Sequence, residues 1–224
     1  MPINLLSFLG KILKTRKYFL MYIKSYEALL DTFALFVEAA LHLILYTREL
    51  YPNELFEKRF LFGVPVHRCR HPLVSDYIKQ VIDSLRPLLL SGAVQNVAVL
   101  INDAKSCCIE QFVLEVDWLK EIKPNADINL EQDVLEGILR SFLLKVTVAD
   151  ALLQPIPPGS PGSPFEIMID VGKDLDGEDA EHLVDEECPW VLHQRPDFDN
   201  STLTPLKDLS TNLFRMKLFV EEKK

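Results

Sequence analysis

The stretch EALLDTFALFVEAALHLILYTRELY, Glu27 to Tyr51, decides how the rest of the chain is read. Leu30, Phe33, Ala34, Val37, Leu41, Ile44 and Leu45 place apolar side chains on nearly every side of a helix, and Pro52 stops it. A surface helix needs only one apolar stripe, so a helix apolar all round belongs at the centre of a fold. At about 1.5 Å per residue it is roughly 35 Å long, the width of a domain. The apolar run Phe33–Tyr46 is interrupted by Glu38 and His42. It falls short of the ~20 apolar residues a bilayer span needs, which makes this a buried helix.

The composition agrees with a globular chain that builds its own core. Of 224 residues, 48% are hydrophobic and 25% charged, which suits one domain. The net charge of −9 argues against a broad nucleic-acid-binding face. Cys69, Cys107, Cys108 and Cys188 are irregularly spaced, which suits free thiols in a reducing compartment. Residues 1–26 hold five Lys/Arg and no acid, and form a basic N-terminal extension. They fit a solvated helical extension or, alternatively, a membrane-surface or targeting helix, but without cleavage signals.

Two further helices follow the same period. Pro72–Leu90 opens with a proline suited to a first turn, repeats Leu73, Tyr77, Val81 and Leu85 at spacing four, and should kink or end near Pro87. Asn129–Leu152 carries the stripe Val134, Leu135, Ile138, Leu139, Phe142, Leu143 and Val146, with Asn129 and Gln132 as a capping box. Strands are expected at NVAVLI (Asn96–Ile101) and IEQFVLEV (Ile109–Val116), joined by a hairpin loop. FEIMIDV (Phe165–Val171) alternates strictly. FRMKLFV (Phe214–Val220) turns Phe214, Met216, Leu218 and Val220 inward, leaving Phe219 exposed among charges. QPIPPGSPGSP carries five prolines in eleven residues and reads as a stiff surface connection. The order predicts an α+β fold, with helices on one face of a mainly antiparallel sheet.

Catalytic signatures are missing. His67, Cys69 and His71 would share a strand face and are the best metal candidate, but they lack a fourth ligand and read better as a polar loop leading into a helix. The adjacent pair Cys107–Cys108 sits in a predicted turn with nothing to activate a thiol. From Asp170 to Glu187 nine acids face one lysine, yet a calcium-loop register puts Gly172 and Leu183 where carboxylates are needed, so this is a solvated segment. There is no GxSxG, HExxH or phosphate-binding glycine loop, and no enzyme, metal or cofactor is expected.

The last fifty or so residues hold no helix but do contain strands and a bulky anchor, Trp190, in ECPWVLHQRPDF (Glu187–Phe198). A long non-helical tail in a compact domain is usually functional. Laid along a sheet edge, such a band would close over an extended peptide that had added itself as a strand.

ALHLILYTRELYP, HPLVSDYI, LRSFLLKV, PPG, PW, PLK and the ending MKLFVEE, in this order and spacing from Asp31 to Glu222, resemble the HORMA-domain family. They are similar in particular to its Rev-seven, or Mad-two-like B, branch, the accessory subunit of DNA polymerase zeta. The resemblance implies a three-helix core on an antiparallel sheet, a HORMA domain over 27–224 and a C-terminal safety belt over 172–224. It implies an adaptor that traps a peptide of the polymerase zeta catalytic subunit with Tyr77, Trp190 and Leu192. It places a Rev-one-type polymerase C-terminal domain on Leu203, Lys217 and Phe219. Here the sequence departs from the vertebrate-like pattern, which has Gln and Tyr at positions 217 and 219. Glu49, Lys58, Arg140, Lys145, Asp150 and Ala151 match the family's dimer surface, for a HORMA homo- or heterodimer. Shieldin-type repair factors, anaphase-promoting-complex activators and an AAA+ remodelling ATPase are further implied partners. Direct nucleic-acid and membrane contacts are not implied, and the implied location is the nucleus, also the cytoplasm. The alternatives are a spindle-checkpoint or meiotic HORMA adaptor with other guests, a metal enzyme using His67, Cys69 and His71, and a membrane-attached adaptor.

Overall fold

In the computed structural model the described residues are 22–23, 26–103, 105–118, 130–156, 164–171, 190, 198 and 201–223. The basic extension up to residue 21, the proline-rich connection at 157–163, Asn129, Leu192 and nearly all of the acidic run lie outside them.

Helix α1, Tyr26–Thr47, is the hub. It is long and apolar enough to cross a bilayer by length and composition, but Leu29, Leu30, Phe33, Phe36, Val37, Leu41, Ile44 and Leu45 are buried in the domain. It stops four residues before the expected Tyr51. Glu49 takes a left-handed φ of 51°, which ends the helical path before Pro52 is reached.

The sheet lies against one side of α1. Its strands are β4 (Val94–Asn102), β5 (Cys108–Trp118), β7 (Phe165–Val171), β8 (Thr202–Ser210) and β9 (Phe214–Glu222), in the spatial order β7-β4-β5-β9-β8. Every pairing is antiparallel. Alternation along the strands sends Val97, Val99, Phe112, Leu114, Phe214, Met216, Leu218 and Val220 into the main core. A small apolar cavity of about 20 Å³ remains between α1 and this face, lined among others by Phe36, Ala40, Val99, Phe112 and Leu218. At the β4–β5 turn the Asp103 carboxylate accepts the backbone N–H groups of Lys105 and Cys107 at 2.8 and 2.9 Å. These two hydrogen bonds hold its pKa below the usual range.

Helices α2 (Pro72–Leu90) and α3 (Gln132–Thr147) pack on α1. In α2 the buried stripe is Val74, Ile78, Val81, Ile82, Leu85, Leu88 and Leu89. The expected repeat at spacing four was half wrong: Leu73 is 77% exposed and Tyr77 36%. A strict four-residue spacing drifts around a 3.6-residue helix, whereas the alternating 4-3-1 spacing stays on one side. Pro87 lies inside α2, which continues three residues beyond it to Leu90, so it does not finish the helix. Helix α3 is shorter than expected. Leu130–Glu131 form strand β6, paired with β1 (Tyr22–Ile23), and a 3-10 turn covers Ala149–Leu152. Val134 is exposed rather than part of the stripe, and no side chain caps α3.

The largest departure is at residues 56–69. Instead of a polar loop, Phe56–Leu61 (β2) and Val64–Cys69 (β3) form a regular antiparallel hairpin that packs on α1. Its two-residue turn places Phe62 and Gly63 at φ 49° and 76°, the handedness that matches strand twist. Phenylalanine is strained there, and its burial compensates.

Ile78→Ala should cost about 2–5 kcal/mol and Leu73→Ala within about 0.5 kcal/mol in urea unfolding. Equal losses would contradict the packing of α2.

Candidate functional site

Strand β7 forms one margin of the sheet. It is bonded on one side to β4, and no described strand pairs with its other side. A strand at a sheet margin directs backbone donors and acceptors outward, where a further strand can pair with them. The Tyr77 ring of α2 stands edge-on to Phe165 of β7 at 5.7 Å, and Tyr51 meets the same ring at 6.3 Å. Trp190 is half-buried against the main core, and its indole N–H is enclosed with no acceptor among the described residues. Tyr77 thus stands beside the β7 margin and Trp190 on the core. Leu192 lies outside the described residues.

Among the described strands, β7 ends at Val171 on one margin and β8 begins at Thr202 on the opposite margin, four inter-strand steps or roughly 19 Å away.

The sheet face turned away from α1 has a smaller apolar cluster of Ala98, Leu100, Cys108 and Val113. Met168, Phe198 and Phe219 pack on it, so Phe219 is half-buried rather than exposed as expected. Its neighbour across the ladder is Val113 of that cluster, so the sheet's own apolar face shields it. The register puts Leu203, Lys217 and Phe219 on this one face. Leu203 is 54% exposed and Lys217 pairs with Glu115 at 3.1 Å. Burial raises the Cys108 thiol to about 11, so it is unreactive.

The third group, expected as a dimer surface, divides. Arg140 projects from α3 so that its guanidinium lies against the hairpin turn at Gly63. Lys145, Ala151 and Glu49 are exposed. Lys58 sits over the Phe60 ring at 5.6 Å. Asp150 is exposed too, and its carboxylate pairs with buried Arg48.

The metal candidates have separate employment. His67 stacks on Tyr46 with centroids 3.7 Å apart, and His71 precedes α2. Cys69 is buried, and its backbone N–H donates to Nδ1 of His42 at 3.3 Å. Burial, helped by Arg68, lowers the His42 pKa to about 4. No group of three or more potential ligands exists among the described residues.

Sequence reading missed the charged junction at the end of α1. Arg48 donates to both Glu110 oxygens at 2.9 and 2.8 Å and to the Gln154 carbonyl at 2.7 Å. The Gln154 N–H in turn donates to Glu222 at 2.7 Å. Burial pushes the Glu110 carboxyl up to about 7 against the pull of Arg48, with Glu222 and Asp150 pushing the same way. The signal was present: strand alternation puts Glu110 in phase with Phe112, and Glu222 in phase with Val220, both inward.

Comparison with known proteins agrees with this architecture. No protein-family model matches the chain. MAD2B of Rattus norvegicus and of Homo sapiens are each 33% identical over 199 residues, covering 88% of this chain and 92% of theirs. The DNA polymerase zeta processivity subunit of Arabidopsis thaliana is 29% identical over 187 residues, covering 83% of this chain and 82% of its own. A solved chain of the mitotic checkpoint complex superposes with a TM-score of 0.70 at 16% identity, covering 87% of this chain and 98% of that one. C. elegans HTP-2 bound to a HIM-3 closure motif gives 0.66 at 10%, covering 90% and 92%. The fold is the HORMA fold, three helices on an antiparallel sheet.

Two predictions test the junction. Arg48→Ala leaves buried carboxylates unpaired and should cost about 3–5 kcal/mol in chemical unfolding. Because the Glu110 pKa is raised, its contribution is full below the unfolded value and is lost as pH rises from about 4.5 to about 7. Wild type minus Glu110→Gln unfolding free energy should therefore fall across that window; a flat difference would remove Glu110 from the titration.

Proposed function

The chain belongs to the family of MAD2B and the DNA polymerase zeta processivity subunit, and from that premise we propose that it is a peptide-trapping adaptor. The guest is a segment of the polymerase zeta catalytic subunit, added as a strand along β7. The observation that carries this is the placement of β7: a margin without a described strand partner, beside Tyr77 and Phe165, with the C-terminal hairpin on the far margin. Backbone pairing supplies affinity in this mode, and side-chain pockets supply specificity. Tyr77, Trp190 and Leu192 are the proposed contacts, with the Trp190 indole N–H directed to a guest carbonyl.

The protein works by binding and not by catalysis, as an accessory subunit in translesion DNA synthesis, with roles in double-strand-break repair and mitotic regulation. Leu203, Lys217 and Phe219 would receive a Rev-one-type C-terminal domain. Glu49, Lys58, Arg140, Lys145, Asp150 and Ala151 would meet a second HORMA domain. Shieldin-type factors, anaphase-promoting-complex activators and an AAA+ ATPase complete the proposed partners, in the nucleus and also the cytoplasm. The checkpoint name of the MAD2B relatives supports a second reading with checkpoint guests.

Titration with a polymerase zeta catalytic-subunit peptide tests the first reading. Trp190→Ala should weaken binding by at least about 2 kcal/mol, more than thirtyfold in Kd, while Lys217→Ala leaves it unchanged. Normal affinity in the Trp190 variant would falsify the anchor role. Arg140→Ala should shift sedimentation from dimer toward monomer with peptide capture intact; an unaltered profile in a self-associating wild type would remove Arg140 from that contact.

A further inference from the structure

The guest strand of the adaptor reading has two sides, and β7 fixes what each side meets. Residues of β7 alternate across the sheet. Phe165, Ile167 and Ile169 belong to the helix side and pack on the main core. Glu166, Met168 and Asp170 belong to the outer side, where Met168 packs on the small apolar cluster. Both outer carboxylates are held from β4. Asn102 Nδ2 donates to Glu166 at 2.8 Å, and Asn96 Nδ2 to Asp170 at 2.9 Å. A strand laid against β7 keeps the same alternation, so its side chains meet these two rows in turn.

On the helix side the apolar row continues past the sheet. Tyr77 of α2 and Tyr51, just past α1, both stand edge-on to Phe165. Leu73 lies one turn before Tyr77 on the same side of α2, at the spacing where helical side chains are neighbours. It is 77% exposed and takes no part in the buried stripe of its own helix. A single exposed leucine is ordinary. This one extends an aromatic group that borders a strand with no described partner on its outer edge.

We propose that Leu73, Tyr77 and Phe165 seat an apolar side chain of the guest strand, and that Leu73 sets the preference for it. This rests on the adaptor reading and adds a description of the guest. The guest is aliphatic where it turns toward α2, and polar or basic where it turns toward Glu166 and Asp170. The contrast also fixes phase: a slip of one residue would exchange the two sides and set aliphatic groups beside the carboxylates. A second copy pairing antiparallel through its own β7 fits poorly, because the carboxylates of both copies would gather on one face of the joined sheet. The face given above to a second HORMA domain is built on other residues.

Random peptides of about ten residues, enough for one strand, displayed on phage and selected on the full chain, test it. Selected sequences should carry aliphatic residues at alternate positions, with Lys or Arg in preference to Asp or Glu between them. Leu73→Glu should exchange one of those aliphatic positions for Lys or Arg, and should bind the wild-type selections about tenfold more weakly. Leu73→Ala, expected to unfold like wild type, should relax the preference for large aliphatic residues at the same position, and carries the test if thermal unfolding shows Leu73→Glu unfolded. Enriched sequences without alternation, or the same sequences from wild type and both variants, overturn the proposal. In that case the adaptor reading still stands, provided Trp190→Ala weakens the binding of the selected peptides. If wild type enriches no peptide, the adaptor reading fails and the proposal with it. Sedimentation that Leu73→Glu alters without peptide would assign the position to self-association and overturn the proposal alone.

Discussion

One guanidinium joins the parts of this domain that lie farthest apart in the chain. Arg48, at the exit of the central helix, holds Glu110 of the middle strand with two hydrogen bonds, the Gln154 carbonyl with a third, and Asp150 by an ion pair. Through the Gln154 backbone it also reaches Glu222, at the end of the last strand. A buried pair of this kind adds little stability relative to apolar residues of the same shape, but breaking it is expensive. Its value is therefore specificity. Helix, middle strand, connection and C-terminal strand fit together in one arrangement, because any other strands a charge away from water.

That arrangement also sets which surfaces are exposed. The central helix covers one face of the sheet, leaving the β7 margin, the outer sheet face, and the hairpin with α3 turned outward among the described residues. Each has a different chemistry. The margin offers backbone and aromatic edges, the outer face a shallow apolar cluster capped by Phe198 and Phe219, and the hairpin cations around rings.

Much of this was legible in the sequence, for identifiable reasons. The apolar run of Tyr26–Thr47 and the strict alternation of Phe214–Val220 correspond to burial with little interference, whereas in Phe165–Val171, at the sheet margin, only Ile167 is buried and Val171 is exposed. The β2–β3 hairpin was not legible, because its turn is Phe62–Gly63 rather than the Asn-Gly or Asp-Gly that announces such a turn, and because arginines obscure its alternation. Periodicity misplaced Tyr77: the four-residue spacing put it in the core, whereas it stands half out beside Phe165. The Arg48 junction was missed because inward-facing charges were counted as noise in an otherwise apolar pattern. Leu192 and the acidic run lie outside the described residues, so the structure adds nothing to either.

The order of strands also sets a timetable for making the protein. Gln111 and Glu221, partners across β5 and β9, are 110 residues apart. Contacts so distant in the chain form slowly, since the loop entropy is lost before any pairing rewards it. During synthesis β5 must wait, one side bare, until β9, 110 residues further along the chain at the Gln111–Glu221 pair, has left the ribosome. A nascent chain in that interval is open both to rightful capture of a partner and to edge-to-edge misassociation with its neighbours on the same message.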